Sequence, residues 1–146
     1  MIIIKEISSV DIESCFDLDS KTISLWSKKQ WDDEFKKEGM KIFGLSYSNF
    51  FIGACALQIV LDEGQLNFFA INNKFRRQGF GTHMMKFLIK KCEKLKINKI
   101  LLEVSESNHS AESFYNHFDF NTVGIRKKYY NNGSNALLKE KILIKK

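Results

Sequence analysis

Apolar and polar positions along the chain fall into recognisable periods. The opening run MIIIKEI reads as a strand. DIESCFDLD and SKKQWDDEFKK read as short helices; Ser27 suits the N-cap of the second, and Trp31 and Phe35 share one face. KIFGLSY and FIGACALQIVL read as two strands joined at Ser48 and Asn49, and QLNFFAI as a further strand set off by the turn signal Asp62-Glu63-Gly64. From about Gly79 to Leu95, Phe80, Met84, Phe87, Leu88, Cys92 and Leu95 recur at helical spacing, with Lys86, Lys90 and Lys94 opposite. KILLEVS is a nearly continuous apolar run, which predicts a strand buried on both faces. SAESFYNHF predicts a helix with Ala111, Phe114, Tyr115 and Phe118 on one face, and FNTVGIRKKYY and NALLKEKILI predict two closing strands. The elements sum to an α/β protein with early helices, a central β-α-β-α stretch and a terminal strand pair.

Composition narrows this little. A chain of 146 residues with no repeat or linker suits a single domain over 1–146. The net charge of +6 favours an anionic partner: nucleic acid, a membrane surface or a phosphorylated cofactor. Thirteen Phe fall mostly on the core faces above rather than in an exposed stacking stripe, so direct nucleic-acid binding is not expected. No apolar run approaches the roughly 20 residues of a membrane span, and no membrane partner is expected. Cys15, Cys55 and Cys92 have no zinc or disulfide spacing and read as reduced thiols of a cytoplasmic protein. His83, His109 and His117 show no ligand spacing, and no metal is implied.

The densest chemistry is Arg76-Arg77-Gln78-Gly79-Phe80-Gly81-Thr82, directly before the long helix. No Gly-Lys-Ser/Thr follows, so it is not a P-loop. Position 84 is Met, so the dinucleotide fingerprint is incomplete. What remains is a Gly-x-Gly turn opening a helix. The first N–H groups of a helix lack acceptors, the dipole adds positive potential, and glycine lets a ligand approach the backbone. Such a turn fits a pyrophosphate; an ordinary basic helix start explains the same residues. Glu103 is a second point of interest. Alternation puts it on one face of its strand with Leu101 and Ser105. A carboxylate there is either a structural ion pair or a general base whose affinity for protons burial would raise.

Context favours chemistry. The order strand, Arg76-x-x-Gly79-x-Gly81, long helix, strand resembles the GNAT superfamily of N-acetyltransferases, and Asn108, Ala111, Tyr115 and Phe120 match its next motif. SLWSKKQW, LDEGQLNFFAINNKFRRQGFG, ILLEVSESNHSAESFY and GIRKKYYNNGSNALL resemble the RimI type, the ribosomal-protein-alanine N-acetyltransferases.

That resemblance implies a mixed, mostly antiparallel sheet of about seven strands flanked by about four helices. It implies acetyl-CoA as co-substrate, its pyrophosphate held by the backbone of Arg77, Gln78, Gly79, Phe80, Gly81 and Thr82. The pantetheine arm would lie along Phe69, Ala70 and Ile71 of a bulged strand, with Asn108 reaching the cofactor besides capping its helix. Glu103 is implied as general base, through water, and Tyr115 as general acid; by spacing alone Tyr115 reads as a core aromatic. Trp26, Tyr129 and Tyr130 would grip an extended N-terminal peptide, that of ribosomal protein bS18. Alternatives are acetylation of a small amine or a lysine side chain, or a non-catalytic RNA- or ribosome-binding module.

Three positions depart from the family pattern. Leu25 stands where a proline usually precedes the Trp. Asn135 replaces an acid, which would weaken selection for a cationic N-terminus. Asp119 replaces a Gly after a helix end, where a left-handed backbone is expected.

Overall fold

The computed structural model describes residues 1–144. A single sheet runs in the order β1-β2-β3-β4-β5-β7-β6. Its strands are β1 (Ile2–Glu6), β2 (Met40–Tyr47), β3 (Phe50–Val60), β4 (Glu63–Ile71), β5 (Lys99–Ser105), β6 (Asn121–Arg126) and β7 (Ala136–Ile142). The helices are α1 (Ile12–Ser20), α2 (Lys28–Lys36), α3 (Phe80–Lys94) and α4 (His109–His117). Every neighbouring pair is antiparallel except β4 with β5. Parallel neighbours need a long crossover, which α3 supplies. The α/β class, the seven strands and the four helices agree with the sequence-based expectation.

Two cores sandwich the sheet. On one face Met84, Met85, Leu88 and Cys92 of α3 pack against Leu57, Ile100 and Leu102, with α4 laid over the edge. On the other, Cys15 and Leu18 of α1 and Trp31 of α2 meet Ile42, Ala54, Ala56 and Phe68. Each helix therefore buries one stripe, as its period requires. Ser27 closes a capping box with Gln30 at the start of α2.

Several local expectations need correction. The β3–β4 turn is Leu61-Asp62, not Asp62-Glu63-Gly64: Val60 already pairs with Glu63, and Leu61 carries the positive φ of 56°. Gly64 lies within the strand, where an added Cβ would meet the Leu57 side chain at 3.0 Å. Leu95 is exposed and Met85 takes its place in the core. β5 is not buried on both faces. Ile100, Leu102 and Val104 are buried, whereas Leu101, Glu103 and Ser105 face a shallower side. β6 ends at Arg126, so Lys127 to Tyr130 belong to a loop. Short 3-10 turns at Ser9–Asp11 and Asn73–Phe75 carried no sequence signal.

The three thiols are buried and unpaired. Burial pushes Cys92 up to about 11 and Cys15 up to about 12, and pushes Cys55 higher still. In the unfolded chain a thiol ionises near 8.5. Below that pH both states keep the proton and stability is unaffected. Above it the unfolded chain binds fewer protons, so stability falls as pH rises. The loss expected from the three between pH 8 and pH 10 is on the order of 5 kcal/mol. Urea midpoints across that range measure it, and Cys55→Ala is expected to flatten the slope.

Candidate active site

The site begins where two strands part. β4 pairs with β5 only over Glu63–Gln65, while its pairing with β3 continues to Ile71. The β3–β4 register steps between Ala56 and Leu57, which leaves Asn67 as a bulge. A bulge bends its strand and resets side-chain alternation. Accordingly Leu66 faces the α3 core, whereas Phe68 and Ala70 face the α1–α2 core. Just past the strand, the Asn72 N–H donates to Ile52 O at 2.7 Å. By alternation the main-chain groups of Ile71 and Phe69 face the gap, and those of Ala70 face β3. Ala70 therefore contributes a methyl to the core rather than a free edge to the gap.

The chain then enters the glycine turn. Gly79 is the N-cap of α3 with φ 85°, and Arg77 has φ 64°. Asn108 caps α4 and Ser27 caps α2 through side-chain oxygens, but no side chain caps α3. Among the described residues, the six N–H groups from Arg77 to Thr82 donate to no acceptor in the chain. Left-handed residues curl such groups into an anion-binding concavity. A Cβ at Gly79 would meet nothing within 4 Å, so the space outside it is open. At Gly81 a Cβ would make only ordinary contact with Phe114, at 3.4 Å. The fold itself thus sets no steric demand for glycine at 81. Phe80 anchors the turn, its ring 5.0 Å from Tyr47 and 6.1 Å from Phe75. Gln78 ties it to Lys74 O, and Thr82 is half-buried. Arg76 and Arg77 are exposed.

Helix α4 covers the far side of the gap. The Tyr115 ring lies 6.4 Å from Phe69 and 5.6 Å from Phe120. Burial, with a smaller contribution from Cys55, pushes its hydroxyl well above the usual phenol range. The hydroxyl has no hydrogen-bond partner among the described residues, yet no sealed side-chain oxygen is left unsatisfied there. Its oxygen therefore keeps some contact with solvent. Asn108 accepts the Ala111 N–H at 3.1 Å, which leaves its amide NH2 free. Lys139, 2 % exposed, ties α4 to β6 through Asn116 Oδ1 at 2.8 Å and Thr122 Oγ1 at 2.9 Å.

Glu103 approaches from the opposite face of β5. The burial expected of it is absent: its side chain is 33 % exposed and lies 3.4 Å from Arg126. The Arg126 guanidinium in turn stands 5.6 Å from the Tyr129 ring centroid. Tyr129 and Tyr130 meet edge to face at 5.2 Å. Burial, and then the Glu103 charge, raise the Tyr130 hydroxyl. Trp26 stacks on Phe68 at 5.7 Å and meets Trp31 edge-on at 4.8 Å. The structure thus packs Trp26 against the α1–α2 core and sets Tyr129 and Tyr130 beside Arg126 and Glu103.

Sequence reasoning missed Asp19, which holds the Trp26 segment. Fully buried, its carboxylate accepts from Leu25 N at 2.8 Å, Trp26 N at 2.9 Å and Trp31 Nε1 at 2.9 Å. Leu25 now has a physical account, since a proline there would have no N–H for Asp19 Oδ1. Asn135 keeps the acceptor role of an acid, taking the Lys128 N–H at 2.9 Å. That oxygen braces the loop. Asp119 has φ 65°, the left-handed conformation expected after the helix end. Asp19→Asn would set an amide NH2 against an N–H, at a cost of about 1–3 kcal/mol. The expected outcome is a Tm lower by several degrees and a several-fold higher KM for the acceptor. Acetyl-CoA affinity should stay unchanged, which calorimetry checks.

Chemically, the gap offers a free strand edge, a ring of main-chain donors at its end, a carboxylate on one face and a protonated phenol on the other. Among the described residues no three potential metal ligands come together, and no helix is long and apolar enough to cross a membrane.

The pattern of the acetyltransferase (GNAT) family matches residues 10–120, and the chain belongs to that family, an N-acetyltransferase by class. It is similar to the ribosomal protein bS18-alanine N-acetyltransferase of Haemophilus influenzae, 32% identical over 133 residues, covering 89% of this chain and 88% of that one. The Escherichia coli K12 enzyme of the same name is 28% identical over 128 residues, covering 87% and 86%. The crystal structure of the Escherichia coli ribosomal-protein-S18-alanine N-acetyltransferase superposes with a TM-score of 0.93 at 26% identity, covering all of this chain and 96% of that one. Ard1 from Thermoplasma volcanium shares the fold, with a TM-score of 0.88 at 24% identity over 99% of both chains.

Proposed function

We propose that the protein transfers the acetyl group of acetyl-CoA to the N-terminal α-amine of a cytoplasmic protein, ribosomal protein bS18. The carrying observation is two neighbouring sets of unpartnered main-chain groups among the described residues. One is at Phe69 and Ile71 on β4, and the other is the N–H groups of Arg77–Thr82. A strand edge suits an amide-bearing arm, and a helix start with free N–H groups suits a diphosphate. The net charge of +6 fits an anionic co-substrate. The relatives named above support bS18 as acceptor.

Acetyl-CoA supplies an activated thioester. The fold lays it between β4 and β5, with Asn108 able to donate its free amide NH2. Glu103 takes a proton from the acceptor amine, through water, as the amine nitrogen bonds to the carbonyl carbon. The carbon–sulfur bond breaks and the departing sulfur takes the Tyr115 proton. Burial keeps that phenol protonated at working pH, so the proton is present when the sulfur departs. The α-amine asks little of the base, since its pKa is about 7.7–8.0 against about 10.4 for lysine. None of the buried thiols reaches the gap, so the transfer is direct.

Labelled acetyl-CoA offered with bS18 N-terminal peptides, free or blocked at the α-amine, tests the reading. Label is expected on the free peptide only. Equal labelling of the blocked peptide would refute the N-terminal assignment in favour of a lysine acceptor.

A further inference from the structure

We propose that Arg126 occupies the acceptor ammonium's seat at Glu103 and selects peptide amines over amines that lack a neighbouring carbonyl. The inference rests on the reading of Glu103 as the group that receives the acceptor amine.

Three observations meet at this residue. Arg126 Nη2 lies 3.4 Å from Glu103 Oε1, so the carboxylate already has a cation beside it. The guanidinium is also held against the ring of Tyr129. And Arg126, at the end of β6, pairs with Ala136, while Glu103 pairs with Leu138 of the same β7. The two side chains therefore share one face of the sheet and meet diagonally across β7, offset by two residues, from strand positions rather than from a flexible loop.

An incoming ammonium, with the water through which Glu103 takes its proton, must share or replace that contact. Two cations on one carboxylate repel, and a displaced guanidinium loses its acceptor. A peptide offers a remedy, because its first carbonyl lies next to the amine. Arg126 can turn from Glu103 to that carbonyl oxygen and donate there, so the pair is exchanged rather than lost. An alkylamine carries no such oxygen and leaves the guanidinium to water alone. Arg126 is thus a specificity residue. It touches the acceptor beside the scissile chemistry and transfers no proton itself.

The test compares Arg126→Gln and Arg126→Ala with the parent on two acceptors, alanyl-peptide and a primary alkylamine of similar size. The readout is the ratio of their kcat/KM values. The ratio is expected to fall about fivefold to tenfold in both variants, because the alkylamine gains while the peptide loses. Acetyl-CoA affinity and circular dichroism should match the parent. A ratio within twofold of the parent overturns the proposal, as does an equal fall for both acceptors, the mark of a merely structural role. Should one variant fail to fold, the other carries the test. If the parent prefers the alkylamine outright, the N-terminal reading fails, and the alkylamine arm still reports whether removing Arg126 opens the seat.

Discussion

Gly79→Glu is expected to remove measurable acetyl-CoA binding while leaving the fold in place. Two effects operate, and they differ in size. The first is backbone strain: Gly79 sits at φ 85°, where a side chain costs roughly 1–2 kcal/mol. The second is charge. The Cβ would enter space with no protein atom within 4 Å, so the new carboxylate projects directly outside the turn. That space adjoins the turn whose six N–H groups have no acceptor among the described residues. Two like charges about 4 Å apart at an effective dielectric near 20 repel by about 4 kcal/mol. The electrostatic effect dominates and corresponds to roughly a thousandfold in affinity. Gly79→Ala separates the two, since it carries strain without charge and is expected to weaken binding far less. Calorimetry on both variants, with circular dichroism as control, decides it. If Gly79→Glu binds acetyl-CoA within fivefold of the parent, the diphosphate does not sit on this turn.

The contrast between this turn and the rest of the site shows what a sequence discloses. The turn was legible because its physics is local: adjacent residues supply the left-handed backbone and the free donors. The α4 motif was legible likewise, with Asn108 doubling as cap. Asp19 was not. Its three partners lie six to twelve positions downstream, and an acid in a short helix reads as a solvated one. A signal existed, because Asp19 follows Cys15 by four and so shares the buried face. The bulge at Asn67 left no such trace. Leu66 and Phe68, two apart, share a face by simple alternation, yet they face different cores. Glu103 marks the limit. Its strand looked sealed on both faces, but whether a face is covered depends on where α1 and α2 stop, and no local period encodes that. The same limit hid Lys139, a buried cation whose acceptors come from α4 and β6.

Glu103→Gln is expected to lower kcat by about a hundredfold at pH 7 while sparing acetyl-CoA affinity. General base catalysis by a placed side chain is worth roughly 10²–10⁴. The low end applies here, because the acceptor α-amine loses its own proton near pH 8. The same reasoning fixes the pH dependence. As pH rises past the pKa of the amine, more acceptor arrives neutral and less is asked of the base. The gap between variant and parent should therefore narrow from pH 6 to pH 9. A lysine acceptor would leave the gap wide over that range, since its amine stays protonated to about pH 10. The variant also tests the ion pair. The substituted amide would keep a polar contact with Arg126 but not the charge, and Arg126 is exposed enough for water to compensate. Loss of stability is consequently expected to be small, so a fall in turnover would report chemistry rather than unfolding. Glu103 and the turn lie on different elements, β5 and the start of α3. The two substitutions should accordingly divide cleanly, one in acetyl-CoA affinity and the other in kcat. A Glu103→Gln protein that acetylates at the parental rate from pH 6 to pH 8 would take the base away from β5 and return Glu103 to a structural ion pair with Arg126.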